Sequence, residues 1–202
     1  MSIPRIIALV LALAGLSAAA AACSASISSG GSSTPGGSKT YTNDKYGFSL
    51  TYDTLFTQGE STGGTETGSG SEFDIAFADT SGTKIGGKYV DCLQVSVYKL
   101  ARAVKPAEIP KLKTEFKGLV DQMMGSLAQA SVTEPLKLTQ INGLPGFSFA
   151  YAYTEDSVAV TAKAYFLLKG QYEYQVTEQA SQENWSKLSP LLQAAVDSFT
   201  VK

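Results

Sequence analysis

Two cysteines and no histidine set the chemistry open to this chain of 202 residues. Without histidine there is no Ser-His or Cys-His nucleophile pair and no His-containing metal site. Cys23 follows an unbroken run of small residues, Ala18 to Ala22, and Cys92 sits in a strand-like run, Tyr89 to Leu100. A cysteine placed directly after such a run stands where the segment before it would be cut away. Cys92 is expected to be buried as a small apolar residue. Carboxylates are the remaining candidates. Glu155 and Asp156 are adjacent, and adjacent acids in a turn point apart and solvate a hairpin tip. Asp74 and Asp91 fall in strand-like runs, where they are expected to face solvent or mark strand ends. These residues form no catalytic set, no metal-ligand set and no cofactor motif.

The elements before Cys23 define that cut. Residues 1–22 carry one charge, Arg5, then an apolar run from Ile6 to Leu16, then Ser17 and the alanines. A basic start, an apolar centre and small residues at the cut make a secretory signal. Its centre is too short for a membrane span of about 20 strongly apolar residues. The stretch Ala20-Ala21-Ala22-Cys23 resembles the lipobox of bacterial lipoproteins, with Ala20 where Leu is usual; the resemblance implies acylation of Cys23 on sulfur, which leaves Cys92 a single thiol with no internal disulfide. From Ser24 to Thr40 the composition is Ser, Gly, Ala and Thr with one Pro and one Lys, which cannot bury enough apolar surface to fold. Such a tether spans roughly 20–25 Å. The chain therefore divides into a signal peptide (1–22), a lipidated Cys23 with a flexible tether (23–40) and a single domain (41–202). Loss of Arg5 with the signal takes the net charge from −2 to −3. That mild acidity argues against nucleic acid, whose phosphates need a basic face.

Within the domain, Tyr46 to Tyr52 alternates like a strand. Thr57 to Ser71, rich in Gly, Ser, Thr and Glu, reads as a long flexible loop. It lacks the Lys-Ser or Lys-Thr ending of a phosphate-binding loop. Strand-like runs follow at Glu72–Ala78 and Tyr89–Leu100. Ile109, Leu112, Phe116, Leu119, Val120, Met123 and Leu127 recur at three- and four-residue spacings, which predicts one helix over about Pro110–Ala128 packed on the sheet through that stripe. Residues 131–179 read as a four-strand meander. Its turns fall at Asn142-Gly143, Glu155-Asp156 and Lys169-Gly170, and its aromatics alternate through Phe147, Phe149, Tyr151 and Tyr153. The loop length at Lys169-Gly170 decides which face Tyr172 takes. Trp185, Leu188, Leu192, Ala195 and Phe199 mark a final helical stretch, with Pro190 placed for a kink or a break.

This order of elements resembles the PsbP-like family, the fold of the photosystem II extrinsic subunit and of LpqN-type lipoproteins. The resemblance rests on Tyr46-Gly47-Phe48, on the stretch Leu168–Ala180 and on the ending Asp197-Ser198-Phe199. It implies an α+β fold, an antiparallel sheet of six or seven strands flanked by helices. It supplies no catalytic set, since members bind a photosystem, a small GTPase or envelope glycolipids. The reading for this chain is a non-enzymatic binding or assembly domain, held on the outer face of a bacterial membrane by the lipid on Cys23. Its partner is an envelope protein or a lipid-like ligand, with no cofactor. A carrier that shields an acyl chain beside Phe147, Phe149, Tyr151, Tyr172 and Tyr174, and an enzyme working through Cys92 or a carboxylate, are the alternatives. A deep apolar pocket favours the carrier, exposed aromatics on a flat face favour a protein partner, and a cleft of converging ionisable groups favours the enzyme.

Overall fold

Alternation builds the sheet. In β2 (Phe48–Asp53), Phe48, Leu50 and Tyr52 are buried and the residues between them are half-buried. The computed structural model of the chain describes residues 36–61 and 70–202. β1 (Ser38–Asn43) pairs with β2, and β2 pairs on its other side with β11 (Thr200–Val201), a small three-stranded sheet. The main sheet is antiparallel throughout. It runs β3 (Thr57–Ser61), β4 (Phe73–Ala78), β7 (Cys92–Val104), β10 (Val158–Ser181), β9 (Leu144–Glu155), β8 (Ser131–Ile141). A two-residue pair, β5 (Lys84–Ile85) and β6 (Lys88–Tyr89), precedes β7. A 3₁₀ helix (Pro106–Leu112) leads into α1 (Lys113–Ser126), and α2 (Gln182–Asp197) follows β10. This is the α+β architecture expected from the sequence.

β10 turns back on itself. A straight strand of its 24 residues would span roughly 80 Å. Instead Thr161, near its start, donates a hydrogen bond of 2.7 Å to Gln182, just past its end. The first arm, Val158–Leu167, pairs with β9, and the second, Gly170–Gln179, pairs with β7. Gly170, at φ +60°, and the register shift between Gly170 and Tyr172 mark the reversal. The turn expected at Lys169-Gly170 is therefore present, and counting the two arms separately makes the sheet seven ribbons wide. Tyr172 and Tyr174 share a face with Tyr165 and Leu167. An even-numbered loop gives that parity, which settles the register left open by the sequence.

Two cores lie on opposite faces of the sheet. The α2 side packs Phe48, Phe77, Tyr165, Tyr174, Leu192 and Phe199. The α1 side packs Phe116, Leu119, Met123, Phe147, Phe149 and Phe166. Phe116 sits as its stripe predicted, with ring centroids 4.9 Å from Phe147 and 5.2 Å from Phe166. Asn142 and Gly143 both take positive φ, +46° and +82°, and make the expected hairpin turn. Gly146 allows β9 and β10 to meet, since a Cβ there would stand 2.0 Å from the Phe166 carbonyl oxygen.

Four expectations are corrected. Thr57–Ser61, read as loop, pairs with β4, whose edge supplies the ladder that the Gly-rich composition hides. Ser71, at the other end of that stretch, is buried rather than flexible. Pro110 lies inside the 3₁₀ helix, not in the first turn of α1. β1 opens at Ser38, ahead of the domain boundary expected at Tyr41. Of the kink or break expected at Pro190, the break is absent: α2 is one helix through Pro190, which lies on the exposed side.

Candidate functional site

α2 and the sheet edge enclose a cleft of about 500 Å³. Trp185, Ser189 and Gln193 recur every fourth residue on α2 and form one wall, one step around from Leu188 and Leu192, which enter the core. Thr133, Glu134 and Ala150, from β8 and β9, form the other wall. The floor is Thr161 and Lys163 from the first arm of β10 and Glu178 from the second. The hairpin thus brings a cation and a carboxylate fifteen positions apart onto one surface.

Their hydrogen bonds form a connected set. Gln193 donates from its amide nitrogen to Asp197 at 2.9 Å, which turns its oxygen toward the sheet. That oxygen accepts from Lys163 Nζ at 3.0 Å and from the Tyr165 hydroxyl at 2.9 Å. Glu178 Oε1 lies 3.2 Å from the same hydroxyl and 4.0 Å from Lys163 Nζ. Tyr165 has one proton for two acceptors. Glu178 is 2% exposed, and burial raises its pKa to about 7 against the pull of Lys163. Its second oxygen, Oε2, has no hydrogen-bond partner. Glu134, in the same cleft, is held below the usual carboxylate range by its hydrogen bond to Lys137.

The opposite face carries polar groups of another kind. The second arm of β10 sets Glu173 across from Tyr98, Gln175 across from Ser96, Thr177 across from Gln94 and Gln179 across from Cys92. Both oxygens of Glu173 lack partners, as do Gln175 Oε1, Gln179 Oε1 and the hydroxyls of Tyr151 and Tyr153. Burial raises the Glu173 carboxyl to about 8. Among the described residues, no three of His, Cys, Asp and Glu gather closely enough to hold a metal ion.

The residues singled out from sequence are scattered. Cys23, with the signal segment and most of the tether, lies outside the described residues. Cys92 is fully buried, as expected, with its sulfur 3.9 Å from the Tyr89 carbonyl oxygen. Asp74 and Asp91 are buried rather than solvent-facing. Asp74 accepts from the Ser71 hydroxyl. Asp91 accepts from the Thr83 and Ser181 backbone N–H groups and from Asn184, at 2.7, 2.8 and 2.7 Å, and so ties the loop before β7 to the start of α2. Asp156, at φ +46°, sits at the hairpin tip, while Glu155 is half-buried and burial raises its pKa. Phe147, Phe149 and Tyr151 lie on the α1 side and Tyr172 and Tyr174 on the α2 side, so the five cannot line one acyl cavity. Sequence reasoning missed Lys163, Tyr165, Glu178 and Gln193. The even-loop register at Lys169-Gly170 would have placed the first three on one face.

No family model matches the sequence, and no curated protein matches it significantly. Solved structures do match in fold. The solution structure of cyanobacterial PsbP (CyanoP) from Synechocystis sp. PCC 6803 aligns with a TM-score of 0.54 at 13% identity, over 87% of this chain and 98% of that one. The crystal structure of LpqN, involved in cell envelope biogenesis of Mycobacterium tuberculosis, aligns with a TM-score of 0.50 at 12% identity, over 86% and 87%. A crystal structure from Bacteroides thetaiotaomicron VPI-5482 aligns at 0.52 and 10% identity, over 81% of this chain and 48% of its own. The fold is thus PsbP-like, and at these identities the likeness establishes the fold alone.

Proposed function

We infer that this chain is a non-enzymatic binding domain of a bacterial envelope, anchored outside the membrane by a lipid on Cys23, with the α2 cleft as its ligand site. The carrying observation is the cleft itself, about 500 Å³ between α2 and the sheet, on whose surface Trp185, Lys163 and Glu178 converge. The envelope setting is supported by the lipobox-like stretch ending at Cys23 and by the likeness in fold to LpqN. Among the described residues, no helix is long and apolar enough to cross a membrane.

The chain has two cysteines, so acylation of Cys23 and a disulfide between the two would exclude one another. Intact mass of protein purified from bacterial membranes distinguishes them. The expected mass is that of residues 23–202 plus acyl chains, and Cys23→Ala releases the protein or leaves it unprocessed. An unacylated chain holding the disulfide, or unchanged membrane partitioning of the variant, overturns the anchor. A second reading is favoured by the convergence of Lys163, Tyr165 and Glu178, the pattern expected of a catalytic cleft. The binding reading is preferred because burial holds Tyr165 protonated, Lys163 is tied to Gln193 and neither is poised as a nucleophile.

A further inference from the structure

Charge is sorted between the two ends of the large sheet. Residues 99–117 hold six cations and two carboxylates, a net +4, so the rest of the chain, from a total of −2, carries −6. Lys99, Arg102, Lys105, Lys111, Lys113 and Lys117 are all exposed. Glu108 is held by Arg102 at 3.1 Å and by the Lys105 N–H at 3.0 Å, and Lys117 pairs with Asp121. Among the described residues, Lys99, Lys105, Lys111 and Lys113 have no ion pair. The register sets this segment at one end. Val104 stands opposite Gly170 and Lys99 opposite Tyr172, so the close of β7 meets the Lys169-Gly170 turn. Gly146, opposite Leu167, brings the Asn142-Gly143 turn alongside. Asp79, Asp91, Glu155, Asp156 and Glu183 lie toward the other end, where β10 begins and finishes.

The basic end also carries an apolar tip. Leu138 is 52% exposed, the most open large apolar side chain among the described residues. It shares an open cavity of about 510 Å³ with Pro106 and Pro145, and Pro106 directly follows Lys105. A soluble polyanion answers the lysines and gains nothing from Leu138. A bilayer with anionic headgroups answers both, with phosphates for the cations and the acyl boundary for the leucine. The tether is long enough for this seat. Phe48 pairs with both Asn43 and Val201, and Lys169 donates to the Val201 carbonyl at 2.8 Å, so β1 finishes near the basic end. Ser38, where β1 begins, is one strand away, roughly 17 Å. The tether's reach of roughly 20–25 Å covers that distance.

We propose that the basic end of the sheet, with Leu138 at its tip, docks on the anionic phospholipid surface of the membrane that holds Cys23. The docking rests on the membrane setting proposed above and not on the cleft. It adds a protein contact to the lipid, and repulsion of the acidic end gives the domain one orientation on the surface.

The full chain carrying Cys23→Ala, which removes acylation, is floated with vesicles of phosphatidylcholine alone and of phosphatidylcholine mixed with phosphatidylglycerol. Residues 1–22 are apolar enough to enter either vesicle, so the readout is the ratio of the two affinities. A ratio of at least about 100 is expected at about 0.1 M salt, from about fivefold per cation near an anionic surface. It should fall toward unity at about 1 M salt, where the Debye length shrinks from ~10 to ~3 Å. Lys105→Gln, Lys111→Gln and Lys113→Gln together cut the ratio about a hundredfold. Leu138→Ser weakens binding to the mixed vesicles about fivefold. Lys84→Gln, Lys88→Gln and Lys187→Gln together remove the same charge from other exposed sites and leave the ratio within about twofold. All seven are surface positions, so folded protein is expected of every variant. A ratio near unity for the parent chain overturns the docking and leaves the anchor standing, since intact mass tests the anchor separately. Equal losses from the two triple variants overturn it as well, because net charge alone would then govern. Capture by soluble poly-glutamate as tight as by the mixed vesicles, unmoved by Leu138→Ser, overturns the lipid surface in favour of an acidic polymer.

Discussion

The two faces of the large sheet bury aromatic rings equally well but treat polar atoms differently. On the α2 side each buried phenol is answered: Tyr46 donates to the Glu72 carbonyl at 3.0 Å, Tyr174 to the Tyr46 carbonyl at 2.7 Å and Tyr165 to Gln193 at 2.9 Å. On the α1 side Tyr151, Tyr153 and Glu173 are buried with oxygens left over. A satisfied network specifies a unique packing, and a partly satisfied one carries a desolvation cost. The α1 face is therefore held by Phe116 and its neighbours against a polar load. The α2 face is held by rings and hydrogen bonds together, with Glu178 Oε2 buried and unanswered among its described residues.

The harshest way to break this comparison is to separate β9 from β10, which carry both faces. Gly146→Ala places a Cβ against the Phe166 backbone, so a loss above about 4–5 kcal/mol is expected, or no folded protein. Recovery of soluble protein with a near wild-type circular dichroism melt would refute that. Phe116→Ala attacks the α1 side alone and should cost about 3–5 kcal/mol in urea unfolding, the scale of a buried ring replaced by a cavity. A midpoint close to wild type would mean that α1 contributes little to holding its face.

The carboxyls sharpen the contrast. Glu173 has an ordinary value of 4.5 raised to about 8 in the fold. The folded chain thus keeps a proton that the unfolded chain gives up, and stability falls as pH rises from about 4.5 to about 8. Glu173→Gln keeps the shape of the neutral acid and removes that loss. It should stabilise the protein at pH 8, on the order of 1.4 kcal/mol for each unit of raised pKa as an upper bound, and do little at pH 4. Glu178→Gln should act in the same direction over a narrower window, ending near pH 7, and more weakly, because Tyr165 and Lys163 already offset its burial. Thermal melts of both variants across that range test the order, and a larger gain at Glu178 would reverse the assignment of the faces. Lys117→Ala is the smallest effect. Its ion pair with Asp121 is exposed, and unfolding free energies should agree with wild type within about 0.5 kcal/mol.

What the sequence could yield follows from the range of each interaction. The stripe through Leu112, Phe116, Leu119 and Met123 and the Asn142-Gly143 turn are local patterns, and both stand in the structure. β3 was hidden because Gly59 and its neighbours gain strand geometry only from β4. The cleft was hidden because Lys163 and Glu178 meet through one turn whose loop length decides their faces, and Gln193 arrives from a separate helix. The burial of Asp91 was unreadable for the same reason: its donors come from residues 83, 181 and 184.

The pairing of β11 with β2 joins the last residues of the chain to the first strand of its core. Thr200 stands opposite Ser49, Ser198 donates to the Thr51 carbonyl at 3.1 Å, and Lys202 donates to the Gly47 carbonyl at 2.8 Å. Asn142 adds a clasp from mid-chain, donating to the carbonyls of Asp197 and Phe199 at 2.6 and 3.0 Å. A fold that closes through contacts spanning some 150 positions has a high contact order and assembles slowly. That closure waits for residues 198–202 to be made, so one edge of β2 stays unpaired until they arrive. Removing residues 200–202 should leave β2 with a bare edge and raise the unfolding rate more than it lowers the refolding rate, which stopped-flow fluorescence of Trp185 would show.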